Sequence, residues 1–322
     1  VLVEAHRRPL APVFADDVRA GLDRRGQKEL PSKYLYDAVG SALFDVICML
    51  PEYGLARAGA RLLRRHAQDI ARSFRMPAIV AELGSGSARN TRWILEAISR
   101  LCTLTYYPID ISRAALIQAE RELSAIPSLG IVGFEREYLE GLDEVAMRRP
   151  EGTELVVLFL GGTIGNFDRD AGDAFLREVR RRLIPGDHLV LSTDLVKPAH
   201  VLEVAYDDPA GVTAAFDLNL LARINRELGG DIDLRAFQHV ARWNDAERRI
   251  EMHLTSLRPQ TVHVPSAEIA VSFRRGETIW TESSHKYDLD ELPAMAWRTG
   301  FRCAAQWVDS EWPFAQNLFE AV

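Results

Sequence analysis

A chain of 322 residues with 47% hydrophobic content can build one large core, or a core domain with a smaller one attached. Its net charge is −7, and no run of Lys and Arg stands clear of acidic neighbours, so the basic stripe of a nucleic-acid binder is missing and a small-molecule substrate is expected. Three scattered cysteines (Cys48, Cys102, Cys303) and eight histidines form neither a C-x-x-C pair nor an H-E-x-x-H spacing, which argues against a disulfide framework and a metal site.

No apolar stretch approaches the ~18 residues of a membrane span, and the first residues lack the apolar core of a signal peptide. A cytoplasmic location is therefore expected. From Ser41 to Arg75 apolar residues recur at helical spacing, with a break at Leu50-Pro51. A strand–helix alternation then begins. AIVAEL (78–83) is a short apolar run ending at Gly84, and TRWILEAISRL after it is helical. LTYYPIDIS (104–112) reads as a strand and AALIQAERELSAI as a helix. IVGFEREY (131–138) is a third strand, and ELVVLFLGG (154–162), β-branched and aromatic, is a fourth. AFLREVRRRLI is helical and DHLVLSTDL (187–195) is the fifth strand. This alternation predicts a parallel sheet with helices on both faces. Right-handed crossovers then put every strand's C-terminal end on one rim. Gly84 to Gly86, Asp110, Glu137 and Gly161 to Asn166 all fall there.

After Lys197 the pattern changes. AGVTAAFDLNLLARINREL is helical, while IEMHLTSLRPQTVHV and EIAVSFRRGETIWTESS alternate with period two, as antiparallel strands do. LDELPAMAWRTG reads as a helix closed by Gly300, with FRCAAQWVDS and FAQNLFEAV as the last two strands. The expected division is an α/β domain of residues 61–197 and 287–322. A smaller lobe would combine residues 1–60 with an insertion, 198–286.

E-L-G-S-G-S (82–87) joins a strand to a helix. Glycine lets backbone approach a ligand closely at such a turn. A dinucleotide fingerprint needs a third Gly where Arg89 stands, which argues against nicotinamide or flavin. Asp110, at the end of the second strand, can accept both hydroxyls of a ribose. Glu137 and Tyr138, after the third, can flank an adenine. Taken alone, Gly84 and Gly86 also fit a plain turn, and Glu137 a solvated loop acid.

The combination of LYD, PEY, ELGSGS, GTIGN, AYDD and TES is more specific. With these motifs the chain resembles the histidine Nα-methyltransferases of ergothioneine biosynthesis. The resemblance runs through PSKYLYDAVGSALFDVICMLPEY (31–53), YPIDIS, FLGGTIGNF (159–167), AYDDPAGVTAAFDLNLLARINREL (205–228), IEMHL (250–254) and TESSHKY (281–287). It implies a Rossmann-like α/β methyltransferase domain with a mostly parallel seven-stranded sheet, plus a smaller α+β substrate lobe. It implies S-adenosyl-L-methionine as cofactor, S-adenosylhomocysteine as product, and trimethylation of the α-amine of free L-histidine to hercynine. By this resemblance Asn166 holds the substrate's amino and carboxylate end, and Tyr206 binds its carboxylate. Tyr36 lies close to the α-amine, so Tyr36 and Asn166 are the catalytic candidates. Tyr53 lies near the imidazole, Glu282 and Ser284 bond its nitrogens, and Met252 lines the side-chain pocket. Gly84 and Asp110 match cofactor positions, with Gly86, Asn90, Glu137 and Tyr138 beside them. Three departures stand out: Asn90 replaces a Lys, Gly54-Leu55-Ala56 replaces Tyr-Pro-Thr after PEY, and Glu137-Tyr138 replaces Asp-Phe. A methyltransferase of another amino acid such as tryptophan, or a non-catalytic cofactor-binding protein, are the alternatives. No apolar stripe is left over, so a monomer is expected.

These residue types suit the chemistry. Methyl transfer from a sulfonium is an in-line displacement that needs no protein nucleophile, and positioning alone supplies up to ~7–11 kcal/mol. A carboxylate facing an imidazole accepts its N–H. Ser284, two residues beyond Glu282, shares that face of a strand. An indole carries one donor and more bulk, and would leave a polar partner unpaired. His253, His285 and Asp194 are read as structural.

Overall fold

All five strand–helix alternations are present in the computed structural model, which describes residues 2–5 and 10–322, with side chains from residue 13 onward. The first half of the chain forms β1 (Leu2–Ala5), α1 (Leu10–Leu22), β2 (Lys28–Glu29), α2 (Ala38–Ile47), α3 (Gly54–Arg72), β3 (Ala78–Leu83), α4 (Arg92–Ser99), β4 (Leu104–Asp110), α5 (Arg113–Leu123), β5 (Leu129–Glu135) and α6 (Tyr138–Arg148). It continues with β6 (Glu154–Phe159), α7 (Arg169–Arg181), β7 (His188–Asp194), α8 (Ala199–Tyr206), α9 (Val212–Leu228), β8 (Phe237–Asn244), β9 (Arg249–Ser256), β10 (Gln260–Val264), β11 (Ile269–Phe273), β12 (Thr278–His285), α10 (Leu292–Arg298), β13 (Phe301–Val308) and β14 (Phe314–Ala321). No helix among the described residues is long and apolar enough to cross a membrane.

These elements fold into two units. The first holds residues 2–5, Gly54–Val196 and His285–Val322. Its sheet runs β1-β5-β4-β3-β6-β7-β14-β13. The strands from β1 to β7 are parallel, and β14 and β13 are antiparallel to their neighbours. The expected seven strands are all there, and β1 beside β5 extends the sheet to eight. Every residue of β3, β6 and β7 is buried, because helices cover both faces. Alternate residues of β3 serve different cores. Ile79, Ala81 and Leu83 pack with Leu142 of α6 and Phe175 and Val179 of α7. Ala78 and Val80 pack with Leu63 of α3, Ile94 of α4 and Leu123 of α5. Strand order reverses at β3, which lies between β4 and β6. Ligands of open α/β sheets bind beyond the C-terminal strand ends at such a point.

The sequence pattern passes over β1, α1, β2, α6, α8 and β8. Within α6, a Cβ on Gly141 would collide with the Ile109 side chain of β4. Glycine is what lets this helix lie close on the sheet.

The second unit holds residues 10–53 and Lys197–Ser284. It contains the four-stranded sheet β2-β12-β9-β8 and the antiparallel hairpin β10-β11. The two long alternating runs each split, giving β9 with β10 and β11 with β12. Residues 54–60 fall in the first unit, because α3 starts at Gly54 and buries Leu55 and Ala58 there. Residues 1 and 6–9 of the expected 1–60 segment lie outside the described residues.

Candidate active site

In the first unit the rim of the sheet gathers the glycine loop and Asp110. After β3 the backbone turns through Gly84 (φ 71°), a conformation costly for any side chain. The Gly84 and Ser85 N–H groups donate to the Ile109 carbonyl at 2.8 and 3.3 Å, tying the loop to the end of β4. A Cβ on Gly84 would sit 3.2 Å from the Tyr138 hydroxyl oxygen, whereas one on Gly86 would meet nothing within 4 Å. Asp110 Oδ2 accepts the Gly86 N–H at 3.0 Å and Oδ1 accepts the Ser112 N–H at 2.8 Å. Burial pushes this carboxyl above its ordinary pKa, against the N–H groups of Ser112, Gly86 and Ile111. With three N–H groups on its roughly four acceptor sites, the carboxylate keeps room for a further donor.

Below the loop, buried Glu82 accepts hydrogen bonds from the Thr91 hydroxyl at 2.7 Å and from the Tyr106 hydroxyl. Exposed Glu137 stands at the entry to α6, and the half-buried Tyr138 ring lies edge-on to Phe159 (5.6 Å) and Phe175 (6.0 Å). Asn166 ends the short turn Thr163–Asn166 after β6. Asn90 instead lines an open cleft with Arg89, Arg92, Trp93, Glu96 and Glu122. At the Gly54 departure the indole of Trp312 occupies the space a side chain would need. Asp194, read as structural, receives the Trp312 indole N–H at 3.1 Å and lies 2.9 Å from the fully buried Lys286 ammonium.

In the second unit five of the expected substrate residues meet among aromatic rings. Asp37 fixes Tyr36: its carboxylate accepts the Gly40 N–H at 2.7 Å as the cap of α2, and the Asn219 amide of α9 at 2.8 Å. Burial raises the Asp37 pKa, but bonds from Gly40, Asn219 and Arg226 outweigh it and hold the carboxyl below its ordinary range. The Tyr36 hydroxyl donates to Glu282 Oε1 at 3.4 Å, and its ring packs on Phe44 (5.6 Å) and Phe216 (5.5 Å). The Tyr53 ring lies edge-on to Tyr206 at 5.7 Å. Burial, together with Tyr206, Cys48, Tyr36 and Glu282, pushes the Tyr53 phenol well above its ordinary pKa, so it stays a neutral donor. The Tyr206 hydroxyl and Ser284 Oγ are 2.8 Å apart. Glu282 and Ser284 are both buried on β12. Met252, buried on β9, is tied to β12 through its carbonyl, which accepts the Thr281 hydroxyl at 3.0 Å. Phe44 and Phe216, which wall this cluster, carry no local signal that separates them from ordinary core.

The profile of the histidine-specific, SAM-dependent methyltransferases matches residues 14–321. The chain belongs to that family. A histidine N-alpha-methyltransferase of Mycobacterium tuberculosis is 41% identical over 307 residues, covering 94% of this chain and 93% of that protein. Its namesake from Mycolicibacterium smegmatis is 41% identical over 310 residues, covering 96% and 95%. An L-tryptophan methyltransferase of Psilocybe serbica is 26% identical over 314 residues, covering 89% and 86%.

The chain is a SAM-dependent N-methyltransferase, and the residues at the rim fit a nucleoside. The glycine loop leaves open space over Gly86, and Asp110 offers both oxygens where ribose hydroxyls can donate. Glu82 braces that loop from beneath, and burial, joined by the Asp110 charge, pushes its pKa from 4.5 to about 8 against its two donors. A carboxyl raised by folding contributes stability that is complete below its unfolded value of 4.5 and is lost as pH rises through about 8. Glu82→Gln keeps the shape without the titration. Its melting temperature is expected to fall less than that of the wild type between about pH 5 and about 8. Parallel melting curves across that range would remove Glu82 as the source.

Proposed function

We propose that this chain methylates the α-amine of free L-histidine three times in succession, forming hercynine in ergothioneine biosynthesis. The observation that carries this reading is the pair Glu282 and Ser284, buried two residues apart on β12 and bonded to the Tyr36 and Tyr206 hydroxyls. Buried polar groups are kept only when satisfied. Here each hydroxyl partner can give way to an imidazole nitrogen, which a ring with two nitrogens uses fully and an indole does not. The names of the most similar relatives support the same substrate.

S-adenosyl-L-methionine supplies the methyl group on a sulfonium and leaves as S-adenosylhomocysteine. Gly84, Gly86 and Asp110 hold it, with Glu137 and Tyr138 beside the adenine and Asn90 in place of the family's Lys. Asn166 and Tyr206 take the substrate's amino and carboxylate end, Tyr53 and Met252 border the side chain, and Tyr36 accepts a hydrogen bond from the amine. The α-amine is mostly protonated near neutral pH and attacks only in its neutral form, so its proton passes to water before each transfer. Free, scattered cysteines support a cytoplasmic location and the absence of a basic stripe a small-molecule substrate; a monomer is proposed because no apolar stripe is left over in the sequence.

Mass spectrometry of reactions with S-adenosyl-L-methionine and each standard amino acid tests the reading. Histidine should gain one, two and then three methyl groups. Methylation of a different amino acid would keep the reaction class and sink the pocket assignment. Binding of S-adenosylhomocysteine without any product would mean that the substrate is not a free standard amino acid or that the chain does not catalyse.

A further inference from the structure

Tyr206 is the last residue of α8, so its carbonyl has no acceptor role left within the helix. His239 of β8 takes that carbonyl. Its Nε2 donates to the Tyr206 oxygen at 2.8 Å, and its Nδ1 donates to Asp217 Oδ2 of α9 at 2.7 Å. A carbonyl cannot donate, so Nε2 carries a proton. A carboxylate opposite Nδ1 claims the second proton, which makes the ring an imidazolium. The side chains of His239 and Asp217 are completely buried. Taking two charges out of water is unfavourable unless they are paired and bonded, and a cation is well placed at a helix C-terminus.

We propose that the His239–Asp217 ion pair is a positioning device that anchors the end of α8 and so aims the Tyr206 hydroxyl at the substrate's carboxylate. The proposal rests on the assignment of Tyr206 made above. The link is short: the anchored carbonyl belongs to the same residue whose hydroxyl meets Ser284 at 2.8 Å and whose ring packs on Tyr53. Burial pulls the imidazole's pKa down, but the bond and charge of Asp217, the Tyr206 carbonyl and the charge of Asp207 together raise it. The titratable groups facing the pair are Tyr206 and Asp207 at the end of α8, and His253 on β9, which feels the Asp217 charge.

His239→Phe and His239→Gln test this in the full chain. Phenylalanine fills the space of the ring but removes the donor to the Tyr206 carbonyl, whereas the glutamine amide can still donate an N–H. The KM for histidine should rise about tenfold in His239→Phe, with kcat and S-adenosylhomocysteine affinity within about twofold of wild type, and should return towards the wild-type value in His239→Gln. A lesion of packing alone would favour the ring over the amide. Nitrogen NMR of the wild-type chain, labelled in its histidine rings, needs no variant: both nitrogens of His239 should remain protonated well above the free-histidine pKa of about 6.5. A bare ring nitrogen on His239 at neutral pH, a KM for His239→Gln no better than for His239→Phe, or cofactor affinity lost in step with KM would each overturn the proposal. If wild-type protein does not consume histidine, the functional reading fails, and the NMR spectrum still decides the state of His239.

Discussion

Replacing Glu282 by leucine is expected to lower kcat/KM for histidine by roughly 10²–10³-fold, about 3–4 kcal/mol of transition-state stabilisation, while S-adenosylhomocysteine binds as before. Hydrogen bonds to a charged group are worth about 1.5–3 kcal/mol, and the imidazole N–H left facing leucine adds the cost of an unpaired buried donor. The Tyr36 hydroxyl also loses the acceptor it holds at 3.4 Å. Leucine adds apolar surface, so the ratio of tryptophan to histidine turnover should rise even as total activity falls. Steady-state kinetics with both amino acids measure this. A Glu282→Leu enzyme with wild-type histidine selectivity would remove Glu282 from substrate recognition.

Asp110→Ala should have the opposite profile. If Asp110 takes both ribose hydroxyls as proposed, its loss should weaken S-adenosylhomocysteine binding by about 10²–10³-fold at about 1.5–3 kcal/mol per charge-assisted bond. The same change strips the Gly86 and Ser112 N–H groups of their acceptor, so the glycine loop loses its brace on β4. Calorimetric titration gives the affinity directly. A dissociation constant within about threefold of wild type would move the ribose contact to another residue. The two variants together separate the sites, since only one should affect cofactor affinity.

Much of the first unit was legible because its signals are local. Apolar runs mark β3, β6 and β7, and counting strand ends places Asp110 and Asn166 on the rim. Gly84 reads as a close-approach residue, and the structure supplies the reason in the Tyr138 hydroxyl. Gly141 lies in a helix the sequence pattern passes over: the contact with Ile109 that favours glycine there comes from packing, and no feature of YLEGLDEV announces it. Gly54 looked like a lost side chain, and the structure fills its place with Trp312 from the far end of the chain.

The sequence by itself determined the α/β class, the order of the central elements, the glycine loop with its acidic partner, and the spacing of Glu282 and Ser284. Each depends on periodicity or on residues a few positions apart. Only the tertiary structure decided that Tyr36 bonds Glu282 across 246 positions, that Tyr206 meets Ser284 across 78, and that His239 pairs with Asp217 beneath Tyr206. A hydroxyl, a carboxylate or an imidazole has the same local signature whether it faces water or a partner. Its chemistry is set by what packing brings within hydrogen-bond reach, and here that partner arrives from another helix or strand.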